Sequence, residues 1–214
     1  MKKASLVSSA IWMTGLLFAG NNTYYENMGK ALQGFSECEH VADFQNLANQ
    51  FHRIAQVEKE QWLPRYYEVQ CYLLMTFVRG ESAEMRDRYL EQARPVLDEI
   101  LEMAPSDPEV LTLKAWWYTC SLVVDPPARS MSLQPQIAQS LATALSIEPG
   151  HPRAMFMRIS NDMGTAAFFG NDLAPYCKQA SELLASWDDY TPASPIHPSW
   201  GKEEVEGIVA RCGQ

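Results

Sequence analysis

Apolar residues recur at three- and four-residue intervals along almost the whole chain after residue 22, the spacing of a single helical face. Tyr89, Ala93, Val96, Leu97, Ile100 and Leu101 show the pattern most clearly, with charged residues filling the opposite side. No alternating run of β-branched residues is long enough for a sheet. The pattern predicts about nine helices, over roughly 23–36, 41–59, 64–78, 82–103, 108–124, 135–147, 152–168, 173–187 and 199–211. Thr23 and Asp43 are candidate start signals, and Asp107-Pro108 joins a capping carboxylate to a proline in the first turn. Gly34, Gly80 and Gly170 mark expected stops. Pro95, inside the fourth helix, removes one backbone donor and is expected to kink that helix or delay its start.

Prolines supply a second, longer period. Pro64, Pro108 and Pro152 are separated by 44 and 44 residues, and Pro198 follows after 46. Each is read as opening a helix, while Pro105 and Pro149 close the helices before two of them. Paired prolines therefore bracket a short step from one repeat to the next. A helix pair leaves an apolar face that it cannot bury alone, so successive pairs must stack. The expected fold is all-α, with stacked antiparallel helix pairs forming an α-solenoid.

Within the repeats, Ile137, Leu141, Ala144 and Pro149 match the second helix of a tetratricopeptide (TPR) repeat, as do Ala93, Leu97, Ile100 and Pro105. Leu111, Ala115 and Tyr118, and before them Tyr67, Cys71 and Leu74, match the packing positions of the first helix. The match weakens at Met155, Ile159 and Asp162, and again near Leu47, Phe51 and Ile54. Most of residues 41–168 thus resembles TPR repeats. The whole chain is similar to small exported bacterial TPR-like proteins, on the stretches Trp62–Tyr67, Phe168–Cys177 and His197–Gly201. A period of 44 exceeds the roughly 34 residues usual for TPR. The segment 125–136, rich in proline, is read as an ordered loop that lengthens one repeat. The resemblance implies a groove lined by first helices, which in this register would carry Tyr72, Met75, Trp116, Thr119, Phe156 and Met163.

The first residues form a different kind of segment. Lys2 and Lys3 precede an apolar stretch ending at Ala19-Gly20, the layout of a secretory signal peptide. Cleavage after Ala19 or Gly20 is expected, leaving one helical domain over 21–214. Loss of the two lysines takes the formal charge from −9 to −11. An acidic surface does not attract phosphate backbones or anionic lipid, so nucleic acid is excluded as a partner, and membrane insertion after cleavage is not expected. Export, to the periplasm or medium, puts Cys38, Cys71, Cys120, Cys177 and Cys212 in an oxidising compartment. Five is odd, and none falls in the Cys-x-x-Cys spacing of zinc or redox sites. Cys71 and Cys120 sit among apolar residues as core groups, and Cys177 with Cys212 is the candidate disulfide. Spacing alone does not fix the connectivity.

Chemistry is sparse. The histidines, His40, His52, His151 and His197, show no metal-binding spacing, and the last two precede boundary prolines as caps or turn residues would. No nucleophile elbow, phosphate loop or dinucleotide fingerprint occurs. The paired acids, such as Glu203 and Glu204, fall on polar faces. The sequence therefore implies no enzyme, cofactor or metal. Its main expectation is an exported protein–protein interaction module with a protein or peptide partner in the groove. Arg129 and Met131, in the segment 125–136, are further candidates for contact. The alternative is a small-molecule-binding protein or enzyme on a helical scaffold, its pocket not legible in sequence.

Overall fold

The computed structural model describes residues 13–213. Residues 1–12, the greater part of the expected signal peptide, lie outside the described residues. Among the described residues there are nine α-helices: α1 (Met13–Gln33), α2 (Val41–Val57), α3 (Leu63–Met75), α4 (Ala83–Met103), α5 (Pro108–Val124), α6 (Pro126–Ile147), α7 (Pro152–Phe168), α8 (Ala174–Ser186) and α9 (Lys202–Cys212). Short 3-10 turns occupy Gly34–Glu37 and Trp187–Asp189. Among the described residues there is no strand. Helices adjacent in sequence pack against each other from α1 through α9, and α3 also touches α5, as α5 touches α7. The alternate contacts are those of stacked helix pairs. Each pair covers the apolar face its neighbour leaves open.

Local chemistry explains most boundaries. Asp107 Oδ1 accepts hydrogen bonds from the Glu109 and Val110 amides, and Pro108 occupies the first turn of α5, where no donor is missed. His151 caps α7 in the same way, its Nδ1 accepting from the Ala154 amide at 3.2 Å. Asp43 acts at α2 from the third helical position rather than as the cap: its carboxylate reaches back to the His40 amide. Thr23 is no cap, because α1 begins ten residues before it. Pro95 lies inside an unbroken α4.

Two larger expectations also fail. The segment 125–136 is not a loop: α6 starts at Pro126, with Asp125 accepting a hydrogen bond from the Ala128 amide. Prolines 126 and 127 stand in the first turn, where their absent donors cost nothing, and only Pro135 removes an interior bond. Proline count was mistaken for proline position. Arg129 and Met131 are consequently helical residues. The second failure is Pro198, which opens no helix. It is buried in an irregular segment, residues 190–201, that separates α8 from α9. Prolines 192, 195 and 198, three residues apart, forbid a helix there, and the chain bends instead through a turn in which the His197 amide donates to the Ser194 carbonyl. The last boundary is Gly201, at φ +108°. A Cβ at that position would come within 2.8 Å of the Trp187 ring, so both the backbone and the space require glycine.

The core has three connected parts. The largest joins α1 to α5 around Met28, Phe51, Tyr66, Leu73, Leu97 and Leu113. A second packs α5, α6 and α7 around Ala115, Ile137, Leu141 and Met157. The third holds α7, α8 and α9 together through Ile159, Leu183, Trp187, Val205 and Ile208. A disulfide between Cys177 and Cys212 ties α8 to α9 across the outer end. Cys71 and Cys120 are buried free thiols, and Cys38 is half-buried.

Candidate functional site

The segment 190–201 crosses the first helices of the repeats like a strap, and non-periodic contacts hold it there. Tyr67 donates its hydroxyl to the Ile196 carbonyl at 2.7 Å, and the Trp200 indole donates to the Tyr66 hydroxyl at 2.9 Å. Trp200 also packs its ring on Trp116, with centroids 4.5 Å apart, and meets Phe156 edge-on. Burial is the main reason the Tyr66 and Tyr67 hydroxyls titrate well above their ordinary range, so both remain protonated.

Beneath the strap lies a buried charge cluster. Arg153 in α7 directs Nε to both carboxylate oxygens of Glu109 in α5, at 2.7 and 2.9 Å, and a second nitrogen to one of them. His151 Nε2 is 3.1 Å from the same carboxylate. Burial, the largest single influence, pushes the Glu109 carboxyl up. The neighbouring Arg153, hydrogen-bonded to it, and the nearby His151 ring together outweigh burial and hold the group below its ordinary value. The Arg153 guanidinium and the His151 ring both face Tyr190, where the strap begins. The two charged residues occupy equivalent places, each directly after a boundary proline and 44 residues apart. Sequence reasoning weighed only exposed acids and passed over Glu109. The alternation of Arg65, Glu109 and Arg153 at the repeat period was the available signal.

Between the strap and the first helices is a cleft of about 690 Å³. One wall comes from the end of α1 and the turn after it, with Leu32, Gln33 and Phe35; α3 adds Tyr67 and Gln70. The other comes from Pro195, His197, Ser199 and Trp200, continuing into the first turn of α9. Phe35 and Tyr67 meet with ring centroids 6.0 Å apart. Gln70 is 7% exposed, and its Oε1 has no hydrogen-bond partner among the described residues. A buried acceptor of that kind costs about 1–3 kcal/mol unless something donates to it. At the mouth, Lys202 is engaged by both oxygens of Asp188 at 2.7 Å, and Glu203 and Glu204 are exposed. Among the described residues no group of three or more metal-binding side chains converges. No described helix is long and apolar enough to cross a membrane.

The six residues expected to line a groove do not form one open surface. Tyr72 and Met75 are core residues, and the cleft instead uses Tyr67 and Gln70, one turn apart on another face of α3. Trp116 and Phe156 are covered by Trp200. Thr119 turns its hydroxyl back to the Ala115 carbonyl, and Met163 packs against the third part of the core. Periodicity identified apolar faces but carried no information on what the later strap would cover. Arg129 forms a two-pronged pair with Asp87 at 2.6 and 2.7 Å, while Met131 stands 93% exposed.

An all-α fold of packed helix pairs, with a cleft closed by a C-terminal strap, is the class this geometry defines. The solved structure of the HusA haemophore from Porphyromonas gingivalis is similar to it, with a TM-score of 0.75 over 88% of this chain and 92% of that one. Identity is 24%, and the likeness is one of fold. No protein-family model matches the chain, and no curated protein sequence does.

Proposed function

We propose that this chain is an exported, non-catalytic protein that binds a small, flat, largely apolar ligand of the haem class in the cleft beside the strap. The carrying observation is the cleft itself. Its volume falls in the range of small-molecule sites, its walls carry the rings of Phe35, Tyr67 and Trp200, and the buried Oε1 of Gln70 lacks a hydrogen-bond partner among the described residues. Fold similarity to a haemophore supports the choice of ligand class. This reading replaces a peptide in a solenoid groove, because Trp200 already lies on the aromatic residues such a peptide would touch. Export accords with the basic and apolar leader; removal of residues 1–19 would leave the core residues of α1, Tyr24, Met28 and Ala31, in place.

The test is titration of the mature protein with haem, followed by tryptophan quenching and by the Soret band. Saturable binding is expected. Trp200→Ala should weaken it by about tenfold or more while the helical circular dichroism spectrum persists, because an aromatic wall is the usual centre of such binding energy. Phe168→Ala, on an exposed ring outside the cleft, should bind as the parent does. Failure of both haem and metal-free protoporphyrin to bind at any attainable concentration would refute the proposal.

A further inference from the structure

Of the side chains on the cleft walls, few can offer an electron pair to a metal. The Tyr67 hydroxyl is committed to Ile196, and burial keeps it protonated. The Lys202 ammonium is held by Asp188. Glu203 and Glu204 belong to the exposed mouth. His197 differs from all of these. It stands on the strap wall, half-buried, with Nδ1 2.7 Å from the Ser194 hydroxyl and its backbone amide bonded to the Ser194 carbonyl. Its ring meets Trp62 edge-on at 5.8 Å. Those three contacts fix where the imidazole lies. Nε2 has no hydrogen-bond partner among the described residues.

We infer that His197 is the iron-binding residue of the cleft, its Nε2 coordinating the iron of a haem carried as cargo while its Nδ1–H donates a hydrogen bond to the Ser194 hydroxyl oxygen. This rests on the reading of the cleft as a haem-class site and adds to it a chemical reason to prefer the iron-bearing form. Histidine ligands characteristically donate their second ring N–H to a fixed acceptor, which sets the tautomer and aims the lone pair; Ser194 has that position. Coordination here is a simple donation of the Nε2 pair to iron, with no change in oxidation state and no proton released. A tetrapyrrole lying on Trp200, Tyr67 and Phe35 would be held by its faces, and His197 would add the one contact that depends on the metal.

The experiment compares haem with metal-free protoporphyrin on the parent, His197→Ala and Ser194→Ala, each checked for an unchanged helical spectrum. The parent should bind haem about tenfold or more tightly than protoporphyrin and shift its Soret band to that of a histidine-ligated iron. His197→Ala should erase both the preference and the shift, leave protoporphyrin affinity within about twofold, and recover the shift on addition of free imidazole. Ser194→Ala should retain ligation with a smaller preference for haem. An unaltered spectrum and preference in His197→Ala would overturn the assignment while leaving the cleft reading intact. Loss of both ligands by the parent itself would sink the cleft reading, and this inference with it.

Discussion

The stacked helices α2 to α7 and the strap 190–201 are built on opposite principles. In the stack most boundaries have a local cause: a proline in the first turn, a capping Asp107 or His151, an apolar stripe with helical spacing. In the strap almost nothing is local. Its hydrogen bonds to the stack come from far along the chain, with the Tyr67–Ile196 and Tyr66–Trp200 bonds spanning 129 and 134 residues. Repetition builds a rigid frame, and an irregular segment laid over it makes one particular cavity. The same division separates stability from function, because the cleft exists only where the two regions meet.

The heaviest blow to this arrangement is expected from the buried pair beneath the strap. Glu109→Gln leaves Arg153 buried without a counter-charge, and breaking such a pair from one side costs about 3–5 kcal/mol. Denaturant unfolding should report a loss in that range, whereas the double change Glu109→Leu with Arg153→Met should recover much of it. The Glu109 carboxyl is held below its ordinary value of 4.5, so its stabilisation is complete above pH 4.5 and fades as pH falls through the lower folded value. The parent should therefore lose stability in acid, and Glu109→Gln should lose less. A Gln variant as stable as the parent at pH 7 would show that the strap does not depend on the pair.

Next in size is the disulfide, the one covalent constraint on the region after the stack. Cys177 and Cys212 close a loop across a separation of 35 residues, which in the chain-entropy account is worth about 3–4 kcal/mol. Cys177→Ser with Cys212→Ser should lower unfolding stability by that order and loosen α8 and α9 first. Hydrogen exchange resolved by segment would show it, since protection should fall in 174–212 and persist in α3 and α5. Equal loss of protection throughout would mean that the two regions unfold as one.

How much of this was legible in the sequence follows the same division. Helical period and proline spacing located the stack because each signal acts within a few residues of its effect, as Pro64, Pro108 and Pro152 show. The α6 start was misread because Pro126 and Pro127 look like breakers until Asp125 is recognised as their cap. Pro198 was misread in the opposite sense, since a periodic proline was assumed to do what its predecessors did. The cleft was out of reach altogether. Tyr67, Gln70, His197 and Trp200 come together through hydrogen bonds between segments about 130 residues apart, and no pattern within either segment encodes that meeting.

The smallest expected effect lies inside the stack, at the start of α6. Arg129 pairs with Asp87 in α4 and also donates to the Ser121 carbonyl, so it pins the first turns of α6, the segment read from sequence as a loop. Both partners are about one-third exposed, and ion pairs at such sites contribute about 0.5–1 kcal/mol. Arg129→Ala should hardly move global unfolding. It should speed exchange of the amides in 126–134 by about two- to fivefold, the opening expected from a loss of that size. Met131→Ala, on a side chain that touches little, should leave the same amides unchanged. If Arg129→Ala left exchange in 126–134 as slow as in the parent, the proline-led start and the Asp125 cap would suffice to hold α6. The stack would then rely on local signals even where it borrows a contact from a neighbour.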